Sequence, residues 1–222
     1  MRSRKFVLAL IACLLIVAPA AAALTTTVKE DFSGTLADAT WRLGTLDQID
    51  STGGNPGAFL HNPELDSAVP TPVYVGPLPS PFFGNYRAAN VVSLGLDVKV
   101  FAASFGVDAS RPISLVLSSD MGTPSDPTDD CDAYVVGTKP VPRPGTAWRS
   151  YEFRVPSSVT GLPPRWQIRG TCAGLSNDDA WNALIQNVTH VSFPFADPGT
   201  FWFFQVWDLG IDNVHITFRN LP

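Results

Sequence analysis

Carboxylates near the end of the chain are the first side chains whose types and spacing could do chemistry. Asp208 and Asp212 lie four residues apart in the stretch WDLGIDNVHITF. Carboxylate oxygens are hard ligands of the kind that calcium prefers. The same stretch is also typical of a turn, in which an Asp side chain bonds its own backbone and Gly210 takes a positive φ. Two interpretations therefore stay open, a cation site and a turn that leads into a closing strand.

A second acidic stretch, SDPTDDCD, ends at Asp132. It lacks the regular spacing of a calcium-binding loop. We therefore predict that it is a solvated loop.

Glutamates that could serve in glycoside hydrolysis are few after the first 23 residues: Glu30, Glu64 and Glu152. That reaction needs two carboxylates that face each other across a cleft. Glu30 and Glu152 fall in separate predicted strands, and the chain contains no E-x-D-x-x-E run. The sequence therefore gives little support to a glycosidase.

Histidine chemistry is equally poorly supported. His61, His190 and His215 are scattered, with no H-E-x-x-H spacing and no G-x-S-x-G elbow elsewhere in the chain. His190 and His215 alternate with apolar residues of predicted strands, so we expect them to be solvated. An enzyme built from residues gathered across loops remains the third-ranked interpretation.

Aromatic residues form a dense cluster in TFWFFQVWD, where alternation would put Phe201, Phe203 and Trp207 on one side of a strand and Trp202 and Phe204 on the other. One side must face the core. The other is either an aromatic surface that stacks on sugar rings, or a covered face of a central strand. The candidate ligand contacts are Trp202, Trp207, Tyr86 and Trp166. Tyr86 and Trp166 are better explained as residues that fill the core or pack under a loop.

These candidates must be positioned by strands, because apolar and polar residues alternate with period two over 94–100, 113–117, 151–155, 191–195 and 214–218. Clusters rich in Pro, Gly and Asp separate these runs and are typical of turns. Only SNDDAWNALIQNV has a helical pattern, with Ser176 or Asn177 as the cap. We predict an all-β fold, a two-sheet antiparallel β-sandwich of the jelly-roll type with one short helix.

The start of the chain predicts export. Arg2, Arg4 and Lys5 precede an apolar run over 6–17 and the small residues APAAAA. We predict a signal peptide over 1–23 and a single β-sandwich domain over 24–222, secreted or periplasmic. The stretch LIAC has the residue types of a lipidation box, but Cys13 lies too early in the apolar run.

Charge argues against several partners. Removal of the leader takes away three basic residues and no acidic ones, which changes the formal net charge from -5 to -8. So acidic a chain does not attract nucleic acid or anionic membranes. We expect neither nucleic-acid binding nor membrane insertion after signal cleavage.

Two cysteines remain after the leader, Cys131 and Cys172. A lone pair in an oxidising compartment predicts a disulfide, which would stabilise the fold by about 4 kcal/mol in the chain-entropy model. The sequence indicates no required cofactor.

An ordered set of segments carries a family resemblance: FFGNYRAANVVSLGLDVKVF, RPISLVLSSD, TAWRSYEFRVP, WNALIQNVTHVSF and LGIDNVHITF. Together they resemble the laminin type IV (laminin B) module and, more broadly, the galactose-binding-like jelly rolls of secreted proteins. The resemblance covers about residues 82–218. Upstream, KEDFSG, Trp41 and GGNPGAFL are similar to the opening of carbohydrate-binding jelly rolls.

The resemblance implies a non-catalytic binding or adhesion module, with carbohydrate as the expected ligand. It also implies a structural calcium ion where the first and last strands meet, which would place Glu30 near Asp212, with Asp208 as a further candidate. The alternative is a structural or protein-binding module of the extracellular or envelope space, and a glycan-active enzyme comes third. The particular glycan or protein partner and the oligomeric state are left open.

Overall fold

The computed structural model describes residues 24–126 and 129–220. The predicted signal peptide and Cys13 therefore lie outside the described residues. No helix within the described ranges is long and apolar enough to cross a bilayer.

Strands dominate the described part of the chain. Their bounds are β1 (Thr25–Glu30), β2 (Trp41–Arg42), β3 (Gln48–Gly54), β4 (Gly57–Ser67), β5 (Val73–Tyr74), β6 (Val91–Ala103), β7 (Pro112–Ser119), β8 (Cys131–Pro140), β9 (Arg149–Arg154), β10 (Trp166–Gly170), β11 (His190–Ser192) and β12 (Gln205–Arg219). A 3-10 helix (Cys172–Gly174) and one α-helix, α1 (Asn177–Leu184), lie between β10 and β11.

The strands form two antiparallel sheets. Sheet A has the order β3-β4-β12-β6-β9, and β1 pairs with the second half of β12. Sheet B has the order β10-β8-β7-β11-β5-β2. The predicted two-sheet antiparallel β-sandwich is confirmed.

The core lies between the sheets because each strand buries alternate side chains. In β6, Leu94, Leu96, Val98 and Val100 are fully buried. The closing strand β12 buries Val214 and Ile216 in the same way, so the predicted alternation of these two strands is confirmed.

Helix α1 begins where the sequence predicts. The Ser176 side chain accepts a hydrogen bond from the Asp179 backbone N–H at 3.3 Å. Trp181 and Leu184 are fully buried, and the Trp181 ring lies 5.0 Å from that of Trp166. The helix therefore covers one end of the core.

The predicted disulfide between Cys131 and Cys172 is present. It ties the first residue of β8 to the 3-10 helix that follows β10, across a sequence separation of 41.

Two predicted strands are shorter than the alternation suggests. β11 ends at Ser192, and the Phe193 and Phe195 amides donate to the carbonyls of Pro72 and Pro70 outside any strand ladder. Pro194 between them has no N–H, so a regular ladder cannot continue. β12 begins only at Gln205, which leaves 201–204 as an irregular segment.

Candidate functional site

An open groove crosses the outer face of sheet B, with a volume of about 400 Å³. Four strands supply its floor: Val116, Ser118, Asp132, Arg169, His190 and Ser192. Its walls come from Val69 and Thr71 on one side and the segment 194–200 on the other. We call this feature the sheet B groove.

Strand register aligns four polar residues across the groove floor. His190 lies opposite Ser118, Ser118 opposite Asp132, and Asp132 opposite Arg169. Side chains directly opposite each other in antiparallel strands project from the same face, with Cβ atoms about 5 Å apart. The result is one polar row that crosses β11, β7, β8 and β10.

Asp132 is the centre of this row. It accepts a hydrogen bond from Ser118 Oγ at 2.6 Å, and its other oxygen accepts from Arg169 Nη2 at 2.7 Å and Nε at 3.2 Å. A guanidinium has five N–H donors, and these two bonds engage only part of that capacity. Arg169 is therefore fixed in place with donor capacity left for a ligand.

His190 stands at the other end of the row. Burial lowers the pKa of its imidazole, against an opposing effect of the Asp132 charge. A neutral imidazole presents one donor and one acceptor. The groove floor thus offers both hydrogen-bond types within one row.

The geometry does not suit nucleophilic catalysis. A serine triad needs the hydroxyl to donate to histidine, and the histidine to be held by a carboxylate. Ser118 gives its single proton to Asp132 instead. Within this row, Ser118 is therefore not arranged as an activated nucleophile.

Three of the four aromatic residues proposed from sequence as ligand contacts are instead buried. Trp207, Tyr86 and Trp166 are 0%, 1% and 5% exposed, so a ligand at the surface does not reach their rings. Trp202 is half-buried, and the Arg111 guanidinium lies 4.4 Å from its ring centroid. Burial favours the core interpretation of these residues over the ligand-contact one.

Other aromatic side chains are exposed. Phe105, Phe201, Phe203 and Phe204 are 71–82% exposed, and Val206 is 45% exposed. Phe105 lies beside β12 because its N–H donates to Gln205 Oε1 and the preceding residue pairs with Val206. We call these five residues the aromatic tip, and four of them, from Phe201 to Val206, follow directly on the groove wall that ends at residue 200.

The proposed calcium ligands have separate hydrogen-bond partners. Both oxygens of Glu30 are engaged by its own loop, through the Phe32 N–H and through the N–H and hydroxyl of Thr40. Asp208 Oδ1 lies within hydrogen-bonding distance of His61 Nε2, at 2.7 Å. In strand register Glu30 lies opposite Val214.

Asp212 lies in a different surrounding, fully buried on sheet A. Its two oxygens accept from the backbone N–H groups of Asn55 and Asn213, each at 2.6 Å. Burial raises the pKa of this carboxyl to about 6, and the nearby Asp97 carboxylate acts in the same direction against the two hydrogen bonds. Within the described ranges, no cluster of three or more His, Cys, Asp or Glu side chains could hold a metal ion. Glu30, Asp208 and Asp212 thus each have their own hydrogen-bond partners, and a structural calcium ion here stays a prediction.

Sequence reasoning missed the partners of two histidines. His61 bridges Asp50 at 2.8 Å and Asp208 at 2.7 Å. His215, expected to be solvated, is half-buried and bonds Glu152 at 2.7 Å. Alternation placed the His215 side chain on the outer face of its strand, but only strand pairing shows that it meets Glu152 there.

Comparisons with known proteins add fold-level similarity. No protein-family model and no curated protein matches the chain. Among solved structures, the chain is similar to the L4b domain of human laminin alpha-2, with 12% identity and a TM-score of 0.40 over 93% of this chain and 97% of that one. It is also similar to the K1 cleaved adhesin domain of Lys-gingipain from Porphyromonas gingivalis W83, with 14% identity and a TM-score of 0.38 over 88% of this chain and 99% of that one. Neither similarity bears on a ligand.

Proposed function

We propose that this chain is an exported, non-catalytic binding module that holds a carbohydrate in the sheet B groove. The observation that carries the proposal is the polar row of Arg169, Asp132, Ser118 and His190 on the floor of an open groove. The disulfide supports an oxidising compartment, because such bonds persist outside the cytosol.

The chemistry of the row favours a neutral, polyhydroxylated ligand. Arg169 and Asp132 neutralise each other, so the floor has little net charge to attract an ion. Their fixed donors and acceptors, with the imidazole of His190, match neighbouring hydroxyl groups of a sugar ring. The segment that forms the wall continues into Phe201, whose exposed ring offers an apolar surface for stacking.

A glycan array with the protein and its Arg169→Ala variant tests this proposal. Hydrogen bonds from a charged donor contribute about 1.5–3 kcal/mol, so we expect the variant to lose about ten- to a hundredfold in affinity for any glycan bound. Arg154→Ala, an exposed arginine on sheet A, is the matched control and should bind as the unmodified protein does. Absence of glycan binding, or equal binding by the Arg169→Ala variant, would contradict the proposal.

The alternative is a protein-binding module, and the aromatic tip is the observation that favours it. Five exposed apolar side chains on two adjoining segments are typical of an interaction surface. Under this alternative, replacement of Phe201 and Phe203 by Ser would abolish binding to the partner, and Arg169→Ala would leave it unchanged.

A further inference from the structure

A second cleft, of about 430 Å³, lies where the edges of the two sheets meet. It is lined by residues 135–138 of β8, residues 152–154 of β9, and the connection to β10 at residues 163–166. We call it the edge cleft. It shares strands β8 and β10 with the sheet B groove, but the two sets of lining residues do not overlap.

One side of the edge cleft is an unpaired strand edge. β9 is the last strand of sheet A, with β6 as its hydrogen-bonded neighbour in the described part of the chain. The Val155 N–H donates to Val92 O, so odd-numbered residues of β9 direct their backbone groups at β6. The Ser150 carbonyl accepts from Lys139 Nζ, which shows that even-numbered residues point the other way. The backbone groups of Glu152 and Arg154 therefore face the cleft.

The opposite side is formed by β8, which is incompletely paired on this edge. Its residues Cys131–Val135 pair with β10, and the residues that follow them in β8 extend beyond the end of β10. Arg165 reaches over this edge and donates to Val136 O at 3.1 Å. An incoming strand would thus lie between two edges of the sandwich.

The floor of the cleft is apolar. A side chain at Gly137 would meet the Phe153 ring at 3.2 Å, so the glycine allows this ring to close the gap between the sheets. Phe153 and Trp166 line the cleft but are each at most 5% exposed, so the accessible apolar surface comes from Val159, Pro156 and Pro164. Alternate side chains of an extended peptide could pack here.

The charge at the edge cleft is opposite to that of the whole protein. Arg154 and Arg165 line it, and the Glu152 carboxylate is engaged by His215 Nε2 at 2.7 Å. The chain as a whole has a formal net charge of -5. The local excess of cationic groups is complementary to an acidic ligand.

We propose that the edge cleft binds an extended acidic peptide segment of a partner protein, which adds to sheet A as a strand beside β9. Backbone hydrogen bonds to Glu152 and Arg154 would supply affinity, and the apolar floor and the two arginines would select the side chains. This inference does not depend on the carbohydrate proposal, because the two sites use different residues.

Fluorescence polarisation with a labelled peptide of alternating Glu and Val, six residues long, tests the proposal. A strand that pairs through one edge uses the N–H groups of alternate residues only. We therefore expect N-methylation of one alternate set to weaken binding at least tenfold and methylation of the other set to change it little. A peptide of alternating Lys and Val should bind at least tenfold more weakly than the acidic one.

Two substitutions of Arg154 separate the contribution of its side-chain charge to peptide binding from that of its backbone N–H. Arg154→Ala should weaken binding of the acidic peptide about fivefold, as expected for an exposed charge contact. Arg154→Pro also removes the backbone N–H of this residue, which faces the cleft and not β6. The variant should therefore keep the hydrogen bonds between β9 and β6 and abolish peptide binding. Arg169→Ala is the matched control and should bind the peptide normally. If the proline variant does not fold, the pair of methylated peptides decides the question.

The proposal is overturned if no peptide binds up to about 1 mM, or if acidic and basic peptides bind equally. It is also overturned if both methylated sets bind like the parent peptide. A concentration-dependent dimer that disappears in Arg154→Ala would assign the edge to a second copy of the chain and overturn it as well. Loss of peptide binding with glycan binding intact, or the reverse, distinguishes failure of this inference from failure of the proposed function.

Discussion

Stability should fall as pH rises through the titration of Asp212. The pKa of this buried carboxyl is raised from its ordinary value of 3.8 to about 6, chiefly by burial. A carboxyl with a raised pKa in the folded state stabilises the fold fully below its unfolded pKa and loses that contribution as pH rises through its folded pKa. The window is therefore about pH 4 to 7.

The size of the effect follows from the shift. One pKa unit corresponds to 1.36 kcal/mol, so a rise of about 2 units gives about 2–3 kcal/mol. The perturbation that isolates it is Asp212→Asn, which cannot ionise. Asparagine has one acceptor oxygen for the N–H groups of Asn55 and Asn213, so the variant also loses a hydrogen bond, but this loss does not vary with pH.

Urea unfolding of both proteins from pH 4 to pH 8 is the assay. The free energy of unfolding of the unmodified protein, minus that of Asp212→Asn, should decrease by about 2–3 kcal/mol between pH 4 and pH 7. His215, whose pKa is also raised, titrates in both proteins and cancels in the difference. A difference that stays constant within about 1 kcal/mol, or that increases with pH, would refute the reasoning.

Two further predictions concern packing and metal. Gly210→Ala should destabilise the fold by about 1–3 kcal/mol in urea unfolding, because the new Cβ would lie 2.6 Å from the Phe59 ring and 3.1 Å from Trp148. If the substitution destabilises a Phe59→Ala background by the same amount, the contact with the Phe59 ring is not the cause. Chelation with EDTA should leave the melting temperature unchanged, because the Glu30 and Asp212 oxygens already accept hydrogen bonds from separate N–H groups. A decrease of several degrees would support the calcium interpretation, since a ligand bound only by the folded state raises stability.

The sandwich could be predicted from sequence because burial of one strand face leaves a period of two in the residues. Leu94 and Val98 show this period in β6, and Ile216 shows it in β12. The helix was predictable for a similar reason, since Ser176 caps a segment whose apolar residues share one face. In each case the signal is contained within one short segment.

The sheet B groove could not be predicted in this way, because its row joins four separate strands. His190 lies opposite Ser118, 72 residues earlier in the chain, and pairing between such distant strands leaves no local pattern. Asp132 was assigned to a solvated acidic loop, whereas the structure places it in β8. One available signal was that each of these polar residues occupies an outward position of an alternating strand.

The buried aromatic residues show the same limit. Alternation through TFWFFQVWD assumes a strand that starts before Phe201, but β12 starts at Gln205. The exposed rings therefore come from the irregular segment, and Trp207 points into the core. Where a strand begins depends on its partners β4 and β6, which the local sequence does not specify.

Two-dimensional NMR, which maps a bound glycan on the protein by amide chemical shifts, tests carbohydrate binding in the sheet B groove most directly. With the strongest ligand from the array, we expect the largest shifts at Ser118, Asp132, Arg169 and His190, and no such shifts in the Arg169→Ala variant. Largest shifts at the aromatic tip or the edge cleft, with the sheet B groove unchanged, would contradict carbohydrate binding in this groove.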